Sequence, residues 1–368
     1  MRITIKIGTS VLLGKKSLKS STVQKLPLDE TILKKIVEQI APLYKQGIKI
    51  ILVTSGAVAS GASIVGKRSF SRLALSAIGQ AQLIYRYISL FELYKIPIAQ
   101  ILLSAEVFID RKRYEQFRTT LYNLEKIRAL PIINENDVIT SQTSFWDNDS
   151  LAAMVAILTK AQKLIFLTNV SGLYSAVPDE DANARVIKEV ENISASIEKM
   201  GSAKTSLYGT GGMLSKLKSA KLAASCGIDS YIINGLAKNC ITDLIVKNKK
   251  IGTHFLADKN QTLTDRERWI LIGSISKNKI FVDRGAREAL QQRKSLLAVG
   301  IIRVSGTFKQ GDFINIADSS GEVFALAMVN YGSKDLIKLN TQPRTPAIKK
   351  YFQKVVVHAN NLTLIGIR

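Results

Sequence analysis

The feature that most constrains the fold is a series of short apolar runs, each ending in small or polar residues and each followed by a helical pattern. Ile3 to Ile7 ends in Gly8-Thr9-Ser10, and Ile48 to Val53 runs straight into Thr54-Ser55-Gly56-Ala57; Ile96 to Leu103, Leu130 to Ile133 and Leu164 to Leu167 follow. Strands that are apolar throughout are buried on both faces, which calls for a parallel sheet covered by helices. Between them, Ile32, Leu33, Ile36, Val37 and Ile40 mark one helical face behind a candidate cap at Asp29. Further helical patterns cover Leu73 to Tyr94, Tyr114 to Arg128 and the stretch from Leu151. With right-handed crossovers the expected architecture is α/β, a three-layer αβα sandwich with a mostly parallel sheet.

In such sheets ligands bind beyond the carboxyl ends of the strands. Polar residues gather there in this chain. The run Leu130 to Ile133 turns abruptly into Asn134, Glu135, Asn136 and Asp137, and a Ser/Thr-rich loop then delivers Asp147, Asn148 and Asp149 just before a helical stretch. Asn, Asp and Ser also cap helices and make turns, so the cluster by itself fits ordinary punctuation equally well. Lys6 lies one residue from the end of the first strand, where a solvent-facing lysine on an edge strand is the simpler reading. The small residues Ser55, Gly56 and Ala57 permit either a bare tight turn or a ligand approaching backbone amides.

Composition removes several chemistries. With only His254 and His358, and with Cys226 and Cys240 the only cysteines, neither a zinc site, a disulfide framework nor Ser-His-Asp catalysis is supported. What remains is Lys, Asp, Asn, Ser and backbone amides. At 368 residues and 46% hydrophobic residues, the chain can bury a large core and add a second domain. No apolar run reaches membrane-span length and MRITIKIG is no signal peptide, so a soluble cytoplasmic protein without membrane association is expected. The net charge of +23 is compatible with nucleic acid, and the tail from Ser276 carries 15 basic against 6 acidic residues. Lysine-rich faces more often simply keep a protein soluble.

The segment Gly209 to Lys216, GTGGMLSK, opens a helical pattern that stops at Gly227. Its glycines let several amides point at one oxyanion, and the lysine adds a mobile charge beside it. It lacks the order of the P-loop pattern. In one domain with Lys6, Ser55 and Asp149, it describes a phosphoryl-transfer site.

These segments together resemble the amino-acid kinase family and, within it, the glutamate 5-kinases. The likeness rests on KIGTSVL from Lys6, VTSGAVASG from Val53, PIINEND from Pro131, the DND of Asp147 to Asp149, LTNVSGLY from Leu167 and GTGGMLSK from Gly209. From Ser276 on, IFVDRGAREAL, SLLAVGI, GTFKQGD and VFALAMVNY resemble the small β-rich PUA domain. The resemblance implies a kinase domain over 1–258, a linker over 259–275 and a PUA domain over 276–368.

It implies transfer of the γ-phosphoryl group of ATP to the side-chain carboxylate of L-glutamate for proline synthesis, with Mg2+ on the phosphates and no protein ligand for the metal. Lys6 and Lys216 would flank the phosphoryl group, with Asp149 between them as organiser. Ser55 and the amides of Gly56 and Ala57 would hold the reacting carboxylate, while Asn134, Asp137 and Asn148 would hold the amino-acid head group. Thr168 and Asn169, with the loop Thr210, Gly211, Gly212, Met213, Leu214, Ser215 and Lys216, would hold the nucleotide. The family's usual L-T-D is L-T-N here, so a nucleotide contact at Asn169 is expected to differ. The resemblance further implies a homo-oligomer (dimer or tetramer) and proline as feedback inhibitor, and PUA domains elsewhere associate with RNA. Two other readings share parts of the sequence. One is an RNA-binding protein with a vestigial kinase domain. The other is a kinase of N-acetylglutamate or aspartate; Asp137 discriminates against the acetylated acid, because a carboxylate suits a free ammonium and suits an acetylated nitrogen poorly.

Overall fold

The computed structural model describes residues 1–14, 28–66, 70–140, 147–178, 180–181, 183–202, 212–258, 263–273, 278–341 and 354–365. The chain divides into two compact units, one of Met1–Val107 with Arg111–Gln261, the other of Phe108–Asp110 with Thr262–Arg368. The basic insertion from Lys15 to Lys25 and the loop of 141–146 lie outside the described residues.

In chain order, β1 (Arg2–Ile7), α1 (Thr9–Leu12), α2 (Glu30–Lys45), β2 (Lys49–Val53), α3 (Ala57–Val65), α4 (Arg72–Glu92) and β3 (Ile98–Leu103) lead to α5 (Glu106–Ile109), α6 (Arg111–Lys126) and β4 (Leu130–Glu135). There follow α7 (Asn148–Leu158), β5 (Lys163–Thr168), β6 (Glu189–Val190), α8 (Ala195–Ser202), α9 (Met213–Ser225), β7 (Asp229–Asn234), α10 (Cys240–Ile245) and β8 (Thr253–Phe255). The sheet runs β3-β4-β2-β1-β5-β7-β8-β6. Its pairs are parallel except β7 with β8, as the unbroken apolar runs require.

β1 is a central strand between β2 and β5. Ile3, Ile5 and Ile7 are fully buried in a cluster with Ile36, Leu83, Tyr87 and Ile241 from α2, α4 and α10. By alternation Thr4 and Lys6 face the other way, and they too are buried, because α7 and α9 pack together over that face. The edge-strand reading of Lys6 is therefore corrected by topology. Asp29 caps α2, its Oδ1 accepting from the amides of Thr31 at 3.0 Å and Ile32 at 3.3 Å.

The second unit contains α11 (Asp265–Ile272), β9 (Lys279–Val282), α12 (Arg284–Gln291), β10 (Leu296–Leu297), β11 (Ile301–Ser305), β12 (Phe313–Ala317), β13 (Val323–Met328), α13 (Ser333–Thr341), β14 (Val355–Val357) and β15 (Leu362–Leu364). It has a five-stranded sheet, β11-β9-β12-β13-β15, and the pair β10-β14, around a core that includes Ile280, Ile314, Ile316 and Phe324. The stretch expected as a linker, 259–275, contains α11. A capping box of Thr264 and Glu267 starts that helix, and Trp269, Ile270, Leu271 and Ile272 are buried in it. The sequence T-D-R-E followed by W-I-L-I carries that signal.

Truncating Ile5 to Ala should lower stability by about 3 kcal/mol, through lost transfer energy and a cavity in the central strand. A shift of the urea midpoint followed by far-ultraviolet circular dichroism measures it; an unchanged midpoint would contradict the placement of β1 at the centre.

Candidate active site

Four adjacent strands deliver polar groups at their carboxyl ends. β1 brings Lys6, β2 leads into Ser55, β4 ends at Asn134 and Glu135, and β5 ends at Thr168. Backbone bonds tie these exits together: Gly8 N–H donates to Leu167 O at 3.2 Å, and Thr54 N–H donates to Ile133 O at 2.8 Å. Gly56, which caps α3, has φ of 100°, a left-handed conformation that a side chain would strain. It turns the chain so that α3 starts at Ala57, directly beside Ser55.

The centre is a buried ion cluster. Asp149, 1% exposed in the first turn of α7, places Oδ1 2.8 Å from Lys6 Nζ and accepts with Oδ2 from Lys216 Nζ at 2.9 Å. Both lysines are nearly as buried. Burial is the main influence on Lys6 and lowers its pKa; Asp149 opposes that shift and Lys216 reinforces it. Burial alone would raise the pKa of Asp149, but Lys216 and Lys6 together hold its carboxyl below the ordinary carboxylate range. Asp147 fixes the helix that carries it. Its Oδ1 accepts from the amides of Asp149 at 3.1 Å and Ser150 at 2.9 Å, while its Oδ2 accepts from the Ser215 hydroxyl in the first turn of α9. The starts of α7 and α9 are thus linked twice, by Asp147–Ser215 and by Asp149–Lys216.

A second group lies behind β4. Ser76 donates to Asp137 Oδ2 at 2.5 Å; Asn134 Nδ2 donates to Gln80 Oε1 at 3.1 Å, and Gln80 Nε2 donates to Glu135 O at 3.2 Å. Glu135 has its carboxyl pushed from the usual 4.5 up to about 7, first by burial and then by the neighbouring charges of Asp137 and Asp147. Asn148 Oδ1 is buried without a hydrogen-bond partner among the described residues, an acceptor left open for a ligand's donor.

Lys6, Asp149 and Lys216 are therefore brought together as expected, and Ser215 and Asn148 lie within the same pair of helix starts. Ser55, Gly56 and Ala57 share the turn after β2. Asn134 and Asp137 share the turn after β4. Thr168 ends β5 with its hydroxyl 3.4 Å from Asn169 Oδ1. Gly212 caps α9, and Met213 and Leu214 form its first turn; Thr210 and Gly211 lie outside the described residues. Sequence reasoning missed Ser76 and Gln80 as partners of this site. Their signal was two polar positions four apart on a face of α4 that otherwise buries Leu83 and Tyr87.

At the opposite, amino-terminal rim of the sheet, a cavity of about 990 Å3 is lined by Arg2, Lys45, Lys49, Arg128 and Glu125 among others. Arg2 donates to Glu125 at 2.6 Å, and Lys49 pairs with the same carboxylate. Lys45 ends α2 and answers the negative end of that helix.

The arrangement at the carboxyl rim suits transfer between anions: cations and helix amides where negative charge spreads, and no covalent nucleophile needed. The model for "Amino acid kinase family" matches residues 1–234, and that for "PUA domain" matches residues 278–350. A carbamate kinase from Giardia lamblia bound to AMP-PNP has the same kind of fold, at TM-score 0.50 and 16% identity over 70% of this chain and 98% of that one. Fold and site together define the class, an amino acid kinase with an added β-rich domain. The glutamate 5-kinase of Aliivibrio fischeri is 39% identical, covering 99% of this chain and 98% of its own. That of Dictyoglomus turgidum is 38% identical, covering 99% and 97%. The chain belongs to the amino acid kinase family and, within it, to the glutamate 5-kinases.

The raised pKa of Glu135 has a stability consequence with a definite sign. Between the ordinary 4.5 and about 7 the unfolded chain releases this proton and the folded chain keeps it, so stability falls as pH rises through that window. Glu135→Gln should remove this contribution. Urea midpoints of both proteins across the window check it, and equal slopes would contradict the assignment.

Proposed function

We propose that the protein transfers the γ-phosphoryl group of ATP to the side-chain carboxylate of L-glutamate, giving glutamyl 5-phosphate and ADP, the entry step of proline biosynthesis. The observation that carries this reading is the single buried carboxylate of Asp149 shared by Lys6 at 2.8 Å and Lys216 at 2.9 Å. The cluster has one net positive charge. The attacking oxygen is already an anion, so no general base has to remove a proton. The bond from that carboxylate oxygen to phosphorus forms while the bond from phosphorus to the β–γ bridging oxygen breaks, and the electron pair leaves with ADP. Charge grows on the bridging and equatorial oxygens, and the two ammonium groups are fixed in advance to meet it. In this reading Lys6 and Lys216 are the catalytic cations and Asp149 positions both of them.

Position at the carboxyl rim supports the remaining roles of this reading. Ser55 and the amides of Gly56 and Ala57 hold the reacting carboxylate at a helix start. Asp137 pairs with the free α-ammonium, supported by Asn134 and by the open acceptor of Asn148. An acetylated nitrogen would offer no charge to Asp137, which favours glutamate over N-acetylglutamate. Thr168, Asn169 and the start of α9 hold the nucleotide; Asn169 contributes hydrogen bonds without a charge. Magnesium enters this reading with the substrate, carried on the phosphates of ATP.

The test is ADP release from ATP and magnesium with L-glutamate, N-acetylglutamate or L-aspartate, with hydroxylamine present to trap an acyl phosphate. Glutamate should give the fastest ADP release, with hydroxamate. Lys216→Ala should lower turnover about a hundredfold or more without unfolding the protein. Preference for the acetylated acid, or near-normal turnover of the variant, would overturn the reading.

A further inference from the structure

Helix α4 touches both halves of the substrate site along one stripe, and it is assigned no role by the proposed reaction. Ser76, Gln80, Leu83 and Tyr87 are spaced four, three and four apart, so they share one face. Ser76, fully buried, donates to Asp137. Gln80 bonds to Asn134 and to the carbonyl of Glu135. Tyr87, also fully buried, is 2.9 Å from Thr54 Oγ1, next to Ser55. The Thr54 hydroxyl donates to Ser55 O at 3.2 Å, so the proton in the Tyr87–Thr54 bond comes from the tyrosine. Burial is the main influence on Tyr87 and pushes its pKa up, keeping it a donor.

A close backbone approach adds to these bonds. A Cβ on Gly79 would lie 1.7 Å from Ala57 O and 2.5 Å from Gly61 N, and one on Gly61 would lie 1.9 Å from Leu75 O. Between Ser76 and Gln80, α4 thus lies directly against the first residues of α3. The turn after β2 and the turn after β4 are both anchored on this single helix.

We propose that α4 is a ruler for the length of the amino acid. Resting on the assignment of Asp137 and Asn134 to the head group and of Ser55 to Ala57 to the carboxylate, Ser76, Gln80 and Tyr87 are positioning residues that hold the two grips a fixed span apart. In the proposed reaction the acid that bridges the two grips is L-glutamate, and a four-carbon diacid is one methylene shorter. The chemical class selected is an acidic α-amino acid with two methylenes between the α-carbon and its side-chain carboxylate.

Ser76→Ala removes one hydroxyl and leaves the fold its packing, whereas a side chain at Gly79 would meet backbone. Steady-state kinetics of Ser76→Ala and Gln80→Met with glutamate and aspartate, at fixed and varied ATP, test the proposal. KM for glutamate should rise about tenfold in Ser76→Ala, the size expected when a hydrogen bond to a charged group is lost, and about fivefold in Gln80→Met, which loses bonds to a neutral amide and a backbone carbonyl. The ratio of kcat/KM for glutamate over aspartate should fall by a similar factor, with KM for ATP and kcat within about twofold. If the wild-type protein phosphorylates glutamate but both variants keep its KM and its preference over aspartate, the ruler is wrong while the reaction stands. If kcat and both KM values deteriorate together, the helix is only structural and the proposal fails. A wild-type protein inactive with glutamate would instead remove the reading beneath it.

Discussion

The site depends on one carboxylate. Asp149 is buried at the start of α7 and is gripped by an ammonium group on each oxygen. Taking three charges out of water costs several kcal/mol per ion, and apolar residues of the same volume often stabilise a protein more. Such a cluster is weak evidence for stability and strong evidence for chemistry. Its effect is to hold two lysines close together and in place, and Asp149 opposes the burial that pushes Lys6 toward neutrality. In the proposed reaction neither ammonium needs to reorganise when a phosphoryl group arrives.

The sheet makes this arrangement possible. A central parallel strand is covered on both faces, so a lysine at its last turn is buried by α7 and α9 on one side while Ile5 and Ile7 fill the other. Parallel order also sets the exits of β1, β2, β4 and β5 side by side. Each exit then needs only a residue or two to reach the same space. Asp147 turns this into a rigid frame, because it caps α7 and binds Ser215 of α9. On the far side of β2 and β4, α4 holds the turns that follow both strands.

Much of this was legible in the chain. Unbroken apolar runs such as Ile48 to Val53 announced buried parallel strands, and the residues just after them, Ser55, Asn134 and Thr168, marked the rim. The DND of Asp147 to Asp149 was readable as a site only in company with Lys6 and the glycine-rich segment, since Asn and Asp are common in turns. Two things were not legible. Ser76 and Gln80 act through contacts made 61 and 54 residues away along the chain, and a polar residue in a helix pattern does not say which strand it will meet. The central position of β1 was equally hidden, because strand order is set by crossovers rather than by the composition of any strand. The stretch 259–275 differs from a linker for a local reason: the capping box of Thr264 and Glu267 and the W-I-L-I quartet start and bury α11.

The pH dependence of turnover in Asp149→Asn is the measurement that bears most directly on the account. In the wild-type protein Asp149 opposes the loss of charge from Lys6. Its neutral replacement leaves Lys6 buried beside Lys216 without that opposing charge, so Lys6 should release its proton at lower pH. Turnover of the variant should therefore be depressed and should decline on the alkaline side at a clearly lower pH than in the wild type. A variant with full turnover and an unshifted profile would contradict the claim that this carboxylate holds the catalytic charges in place.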